Sequence, residues 1–263
     1  MNLDLGGKVA VVTAASRGLG RACALMLGQE GMRVALGVRD PTAGSVQELV
    51  GLIQESGGEA VPVPLDLTAP ETIDALVSSV VERWGSIHAL VANTPGPLAG
   101  PFESITTDMW REALDVHVLA VVRLTQRVLP VMKSAGGGRI VYITTVGVKT
   151  AQPNMVLSNA TRLAVVGLAK TLSLEVAKDE IMVNVVAPGP IETDRMTELI
   201  ADTASRNGID VAEAERIWLD EVPLGRAGRP EDLASMVALL LSDRCSFVTG
   251  VAIPIDGGKA RAY

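Results

Sequence analysis

The sequence predicts an α/β fold: a doubly wound parallel sheet with helices on both faces, three layers α/β/α in a single domain spanning residues 1–263. Three observations carry this expectation. Short runs of branched apolar residues alternate with helical segments along the whole chain, the order expected of parallel strands joined by crossover helices. The run Val9-Ala-Val-Val-Thr13 passes directly into a glycine-bearing turn, Ala14 to Gly20, and then into a helix. At 263 residues, with 48% hydrophobic and 20% charged side chains, the chain can build one large core and needs no linker.

In chain order, Val9–Thr13 is too short for a helix and reads as a strand buried on both faces, followed by a helix through Arg21–Leu27. Gly18 and Gly20 let the backbone approach a bound group. The free N–H groups and positive end of the helix attract a diphosphate, so a dinucleotide is the natural guest. Val34–Val38 is a second strand ending at Arg39. An acidic residue there would bond ribose hydroxyls, whereas an arginine accepts a 2′-phosphate; Arg39, assisted by Arg17, therefore favours NADP(H), with NAD(H) as the alternative. Gln47–Glu55 reads as a helix closed by Gly57-Gly58, and Ala60–Leu65 as a third strand despite its prolines. Asp66-Leu67 comes next, and Thr68 with Pro70-Glu71 signals another helix start.

Ile87–Ala92 is the fourth strand and leads into Asn93-Thr-Pro-Gly96. The helix expected over Thr107–Met132 is apolar on most faces, where a helix of a monomer would keep one wet face. Gly138–Ile143 is the fifth strand, ending at Thr144-Thr145. Met155–Lys178 reads as a second helix apolar nearly all round, so another subunit is expected to cover both. Ile181–Val186 is the sixth strand, followed by Ala187–Thr193. Residues 190–222, charged and helical from Asp194, are expected to form a mobile lid over the substrate. Met196, Leu199, Ile200 and Trp218 within it imply an apolar pocket with no dedicated anion clamp. An apolar helix, Leu233–Leu241, and the segment Phe247–Gly258 complete the chain. The ligand crevice of such a sheet lies at the carboxyl ends of the strands where their order reverses, which gathers Gly18, Asn93, Thr145 and Pro188 around one cleft.

A formal charge of −7 without blocks of like charge argues against nucleic acid or an anionic membrane as the main partner and leaves small molecules. No run of 18 apolar residues occurs, and Met1–Lys8 has no apolar core of signal-peptide length. Cys23 and Cys245 read as small buried hydrophobes, not a disulfide or metal pair. The expected setting is the cytoplasm.

Over its whole length the chain resembles the short-chain dehydrogenase/reductase family, of the 3-oxoacyl-acyl-carrier-protein reductase type. Thr13-Ala14-x-x-x-Gly18-x-Gly20 is similar to the family's T-G-x-x-x-G-x-G, with Ala14 for the first glycine. Pro188-Gly189-x-Ile191-x-Thr193 resembles its P-G-x-[IV]-x-T element against the nicotinamide carboxamide. Ala92-Asn93 stands where the family has N-N, the second Asn bracing the sheet. The resemblance implies a Rossmann-like fold, a homotetramer, and a nucleotide held by Thr13, Ser16 to Gly20 with Arg17 and Leu19, and by Arg39, Asn93, Pro188, Gly189, Ile191 and Thr193. Asp66, with Leu67, stands where the family has an adenine contact, a helix N-cap being its competing role.

The family's carbonyl reductases use Asn, Ser, Tyr and Lys, with Tyr and Lys spaced Y-x-x-x-K. Aligned by their flanks, Thr145 takes the Ser position, Ser158 the Tyr, Arg162 the Lys and His117 the Asn. Ser158 is shorter and far less acidic than Tyr. Arg162 keeps its charge and can still bond ribose hydroxyls, but cannot relay a proton. His117 is the nearby side chain able to titrate near neutral pH, or else a satisfied buried histidine. Tyr142, three residues before Thr145 on a strand, points to the opposite face. The expected activity is reduction of a carbonyl, or oxidation of an alcohol, on a small or medium organic substrate. The alternatives are a non-redox enzyme of the same fold (dehydratase, isomerase or lyase) and a catalytically silent NADP-binding protein.

Overall fold

A computed structural model describes residues 2–262; Met1 and Tyr263, the two ends of the expected single domain, lie outside the described residues. Seven parallel strands form one sheet in the order β3-β2-β1-β4-β5-β6-β7. They are β1 Val9–Thr13, β2 Arg33–Val38, β3 Glu59–Pro64, β4 Ala89–Ala92, β5 Gly138–Ile143, β6 Ile181–Pro188 and β7 Ala252–Ile255. The chain runs outward from β1 to β3, then returns to the centre, so strand order reverses between β1 and β4. That reversal opens a crevice above their carboxyl ends. β3 carries Pro62 and Pro64 because it is an edge strand, where a missing N–H costs no ladder bond.

The helices are α1 Gly18–Gln29, α2 Gly44–Glu55, α3 Pro70–Trp84, α4 Thr107–Leu114, α5 Ala120–Ser134, α6 Val156–Val176, α7 Asp194–Asn207, α8 Val211–Asp220 and α9 Pro230–Leu241. Period-2 alternation along the strands splits the core into two layers. Val12, Leu36, Val141 and Ile143 pack with Leu27 of α1, Leu49 of α2 and Val237 of α9. Val11, Leu90, Ile140 and Tyr142 pack with Leu76 of α3, Leu124 of α5 and Val165 of α6. A third, smaller cluster under α7 and α8 contains Met196, Ile200, Ala204 and Ala214. Among the described residues no helix is long and apolar enough to cross a membrane.

The elements depart from expectation in four places. β7 is an additional strand, hard to read because it is short and contains Pro254. α1 begins at Gly18, so both turn glycines sit inside its first turn. The helix expected over Thr107–Met132 is interrupted by a π-helical turn, Asp115–Leu119, which widens the backbone between α4 and α5 and holds His117. The expected lid consists of α7 and α8, separated at Gly208, whose positive φ of 66° ends α7.

Candidate active site

The turn after β1 is folded too tightly for side chains. A Cβ on Gly20 would stand 2.2 Å from the Ala14 carbonyl oxygen, and Gly18 has a φ of +55°. Ala14 itself takes a φ of +48°, a left-handed conformation that suits the glycine usually found there. Thr13 ties this turn to the next loop: its hydroxyl donates to the Asn93 carbonyl at 2.6 Å and accepts from the Asn93 N–H at 2.9 Å. A Cβ on Gly18 would lie 3.7 Å from Thr193 Cγ2, so the turn also faces the loop after β6. Gly189 in that loop permits close packing, since a Cβ there would be 2.7 Å from Asp256 Cβ. Thr193 accepts the Met196 N–H and so starts α7. Ile191 is buried.

At the nucleotide end, Asp66 accepts the Thr68 N–H at 2.9 Å and the Thr68 hydroxyl at 2.7 Å. Those bonds, first the backbone one, hold its carboxyl below the usual range, with the charge of Arg39 contributing. Asp66 closes a turn and is not the helix cap; Ala69 occupies that place. Arg17 departs from expectation. Its guanidinium turns to the lid, 3.4 Å from Asp194 and 3.7 Å from Glu198. Arg39 is exposed at the end of β2, and Leu67 is buried beneath the same corner.

Of the four residues expected at the family's catalytic positions, His117 and Arg162 are joined through Thr94, at the carboxyl end of β4. Thr145 is the second residue after β5, and its hydroxyl accepts the Gly147 N–H at 3.3 Å. Ser158 and Arg162 lie one turn apart on α6, with only 6% and 5% of their surfaces exposed. Among the described residues the Ser158 hydroxyl has no hydrogen-bond partner. Arg162 donates to the carbonyls of Ile143 at 3.2 Å, Thr94 at 3.1 Å and Pro95 at 3.3 Å. Burial, then the charge of Arg195, pushes its pKa down to about 10, which leaves it cationic at neutral pH. Tyr142 lies in the opposite layer, where its phenol pairs with Thr125 at 2.7 Å.

Of the two readings of His117, the structure agrees with the buried, satisfied histidine. It is 2% exposed, with Nδ1 2.9 Å from the Thr94 hydroxyl. Burial, then the charges of Arg162 and Arg195, pushes its pKa down to about 3. A neutral imidazole is no proton donor of useful strength at pH 7.

Two residues escaped the sequence reading. Thr94 is the hub that bonds both His117 and Arg162. Arg195, in the first turn of α7, passes over Gly96 and donates to the Pro97 carbonyl. A Cβ on Gly96 would stand 2.7 Å from its Nε. The proximity of Gly96 to Thr94 in sequence was visible; that an arginine about 100 residues later closes over it was not. Arg195 thus lays a guanidinium over the Thr94–Pro97 loop, where it also pairs with Glu198 at 3.4 Å. A separate cavity of about 510 Å³ is lined by Met196, Ile200, Leu219 and Arg226, and none of the four catalytic-position residues lines it.

A family model described as Enoyl-(Acyl carrier protein) reductase matches residues 13–260. The chain is 34% identical over 256 residues to the 3beta-hydroxysteroid dehydrogenase 1 of Eggerthella lenta, covering 97% of this chain and 94% of that protein. It is also 34% identical to the 3-oxoacyl-(acyl-carrier-protein) reductase of Thermotoga maritima, covering 97% of this chain and 99% of that one. The L-sorbose reductase of Gluconobacter frateurii, solved with NADPH and L-sorbose, superposes over 100% of both chains with a TM-score of 0.93 at 30% identity. An actinorhodin polyketide ketoreductase solved with NADPH has a TM-score of 0.92 at 32% identity, covering 97% of this chain and 98% of that one.

Proposed function

The chain belongs to the short-chain dehydrogenase/reductase family, and from that premise we propose that it binds NADP(H) and reduces the carbonyl, or oxidises the alcohol, of a small or medium organic substrate. The observation that carries this reading is the turn at Gly18–Gly20, where Gly20 leaves no room for a Cβ and Gly18 has a positive φ, at the carboxyl end of β1 beside β4. The turn fits a diphosphate, and Arg39 beside Asp66 fits a 2′-phosphate at the adenosine end. Relatives solved with NADPH add support.

When bound, the nicotinamide supplies hydride to the carbonyl carbon. Thr145 and Ser158 hold the carbonyl oxygen through their hydroxyls. Arg162 remains charged and favours negative charge growing on that oxygen. Neither Ser158 nor Arg162 is an acid at working pH, and His117 is neutral, so the proton comes from solvent, passed through a water held by the Ser158 hydroxyl that regains its proton from bulk water. The lid, residues 190–222, closes the site through Arg17 with Asp194 and Arg195 with Pro97.

NADPH absorbance followed against a panel of carbonyl compounds tests the redox reading; no turnover with any of them, despite tight nucleotide binding, favours the silent or non-redox alternatives. In a fluorescence titration, Arg39→Asp should weaken NADPH by tenfold or more, roughly the worth of a charge-assisted phosphate contact, and leave NADH little changed. Equal losses for both nucleotides would show that Arg39 does not read the phosphate.

We further infer a homo-oligomer, a tetramer as the family resemblance implies. Leu114, Leu119, Leu163 and Leu174 on α4, the adjoining π turn and α6 are exposed, and burying them against another copy would remove apolar surface from water.

A further inference from the structure

The geometry points to an oxo acid as substrate: a carbonyl compound whose carboxylate is received between Arg162 and Arg195, beside the point of hydride transfer. This inference rests on the reductase reading and deepens it.

A buried charge is costly unless an opposite charge or a full set of hydrogen bonds compensates it. Arg162 is buried, yet its three protein partners are the neutral carbonyl oxygens of Ile143, Thr94 and Pro95. Among the described residues no carboxylate pairs with it. Those bonds use one N–H of Nη1 and both of Nη2, leaving Nε–H and one Nη1–H without a protein acceptor. Two donors on a planar group match the two oxygens of a carboxylate.

Arg195 approaches the same place from the lid. It donates to Pro97, so the two guanidiniums grip one four-residue stretch, Thr94–Pro97, from either end. Arg195 lowers the affinity of both Arg162 and His117 for protons, which marks the three groups as electrostatic neighbours, with Glu198 touching them only from the Arg195 side. The nearest acids stand outside. Asp194 faces Arg17, and Glu198 lies 3.7 Å from Arg17 and 3.4 Å from the outer edge of Arg195, both side chains at least half exposed.

In the family's usual site the buried cation serves an acidic phenol. Here Ser158 replaces that phenol, and the cation is left without a partner of opposite charge. A substrate carboxylate supplies one. The cluster sits above β4 and β5, whereas the glycine turn follows β1, so the nucleotide diphosphate is not the missing anion.

Isothermal titration calorimetry of the whole protein, alone and loaded with NADP+, would compare benzoylformate, its methyl ester and inorganic phosphate. We expect benzoylformate to bind about tenfold or more tightly than the ester, as one charge-assisted contact implies, and phosphate not to compete. Arg195→Gln, which removes the charge, should erase the preference, with a thermal melt to check that the variant is folded. Gly96→Ala, which crowds Nε of Arg195, should weaken it. Equal binding of acid and ester by the wild type, or an intact preference in Arg195→Gln, overturns the proposal and leaves the arginines as loop clamps; competition by phosphate overturns the carboxylate class. The readout is binding without turnover. A preference for the acid together with no NADPH consumption across the whole carbonyl panel would sink the reductase reading while leaving the carboxylate site standing.

Discussion

His117 and Ala14 each hold a local cost that a single substitution can expose. The unfolded chain protonates a histidine near 6.5, while the native state holds His117 neutral down to about 3. Unfolding therefore binds a proton throughout that interval, and the native state loses stability as pH falls from about 6.5 towards 3, by about 1.4 kcal/mol per pH unit at most. Thermal melts at pH 7 and pH 4.5 should show that His117→Asn removes part of the wild-type acid sensitivity. Rates of reduction between pH 6 and 8 should show no step that this substitution abolishes. Ala14→Gly should relieve the left-handed conformation and raise stability by about 0.5–1 kcal/mol, a net of strain lost and chain entropy gained, read as a higher Tm. The sequence reading identified the residues at this scale. It could not foresee the lowered pKa of His117, because burial in the folded core and then two cations from separate segments set it.

At the scale of elements, alternation of apolar runs with helices was enough to locate six strands, since a parallel sheet buries both faces and writes that into the sequence as unbroken branched residues. β7 was illegible for the opposite reason: it is half-buried, four residues long and interrupted by Pro254. The π turn at Asp115–Leu119 leaves no signature in composition either, because one extra residue in a helix changes phase and not character. The glycine turn is the element on which the rest depends. Gly20→Ala would force a methyl into the Ala14 carbonyl, so we expect a loss of at least ~3 kcal/mol and no measurable NADPH binding, checked by denaturant unfolding and fluorescence titration. Gly44→Ala, in open space at the start of α2, is the control and should leave both unchanged.

For the whole molecule, the exposed leucines of α4, the π turn and α6 predict assembly: light scattering at micromolar concentration should give a mass that is a multiple of 27.5 kDa, and the monomer mass would refute it. The lid is anchored at a second place besides its arginines. Lys259, in the last residues of the chain, pairs with Glu221 at 2.6 Å and lies 5.4 Å from the centre of the Trp218 ring. Asp256 meanwhile packs against Gly189 and accepts the N–H groups of Gly258 and Ala260. The segment Asp256–Lys259 is thus a brace beneath both α8 and the loop after β6, whereas Gly7 and Lys8 lead into β1 at the opposite ends of the strands. Anyone attaching a purification handle, a surface linker or a fusion partner has a reason to choose the amino end: cargo there hangs from the blunt side of the sheet, while the same cargo after residue 262 would pull on the contacts that Lys259 makes with α8 and Glu221.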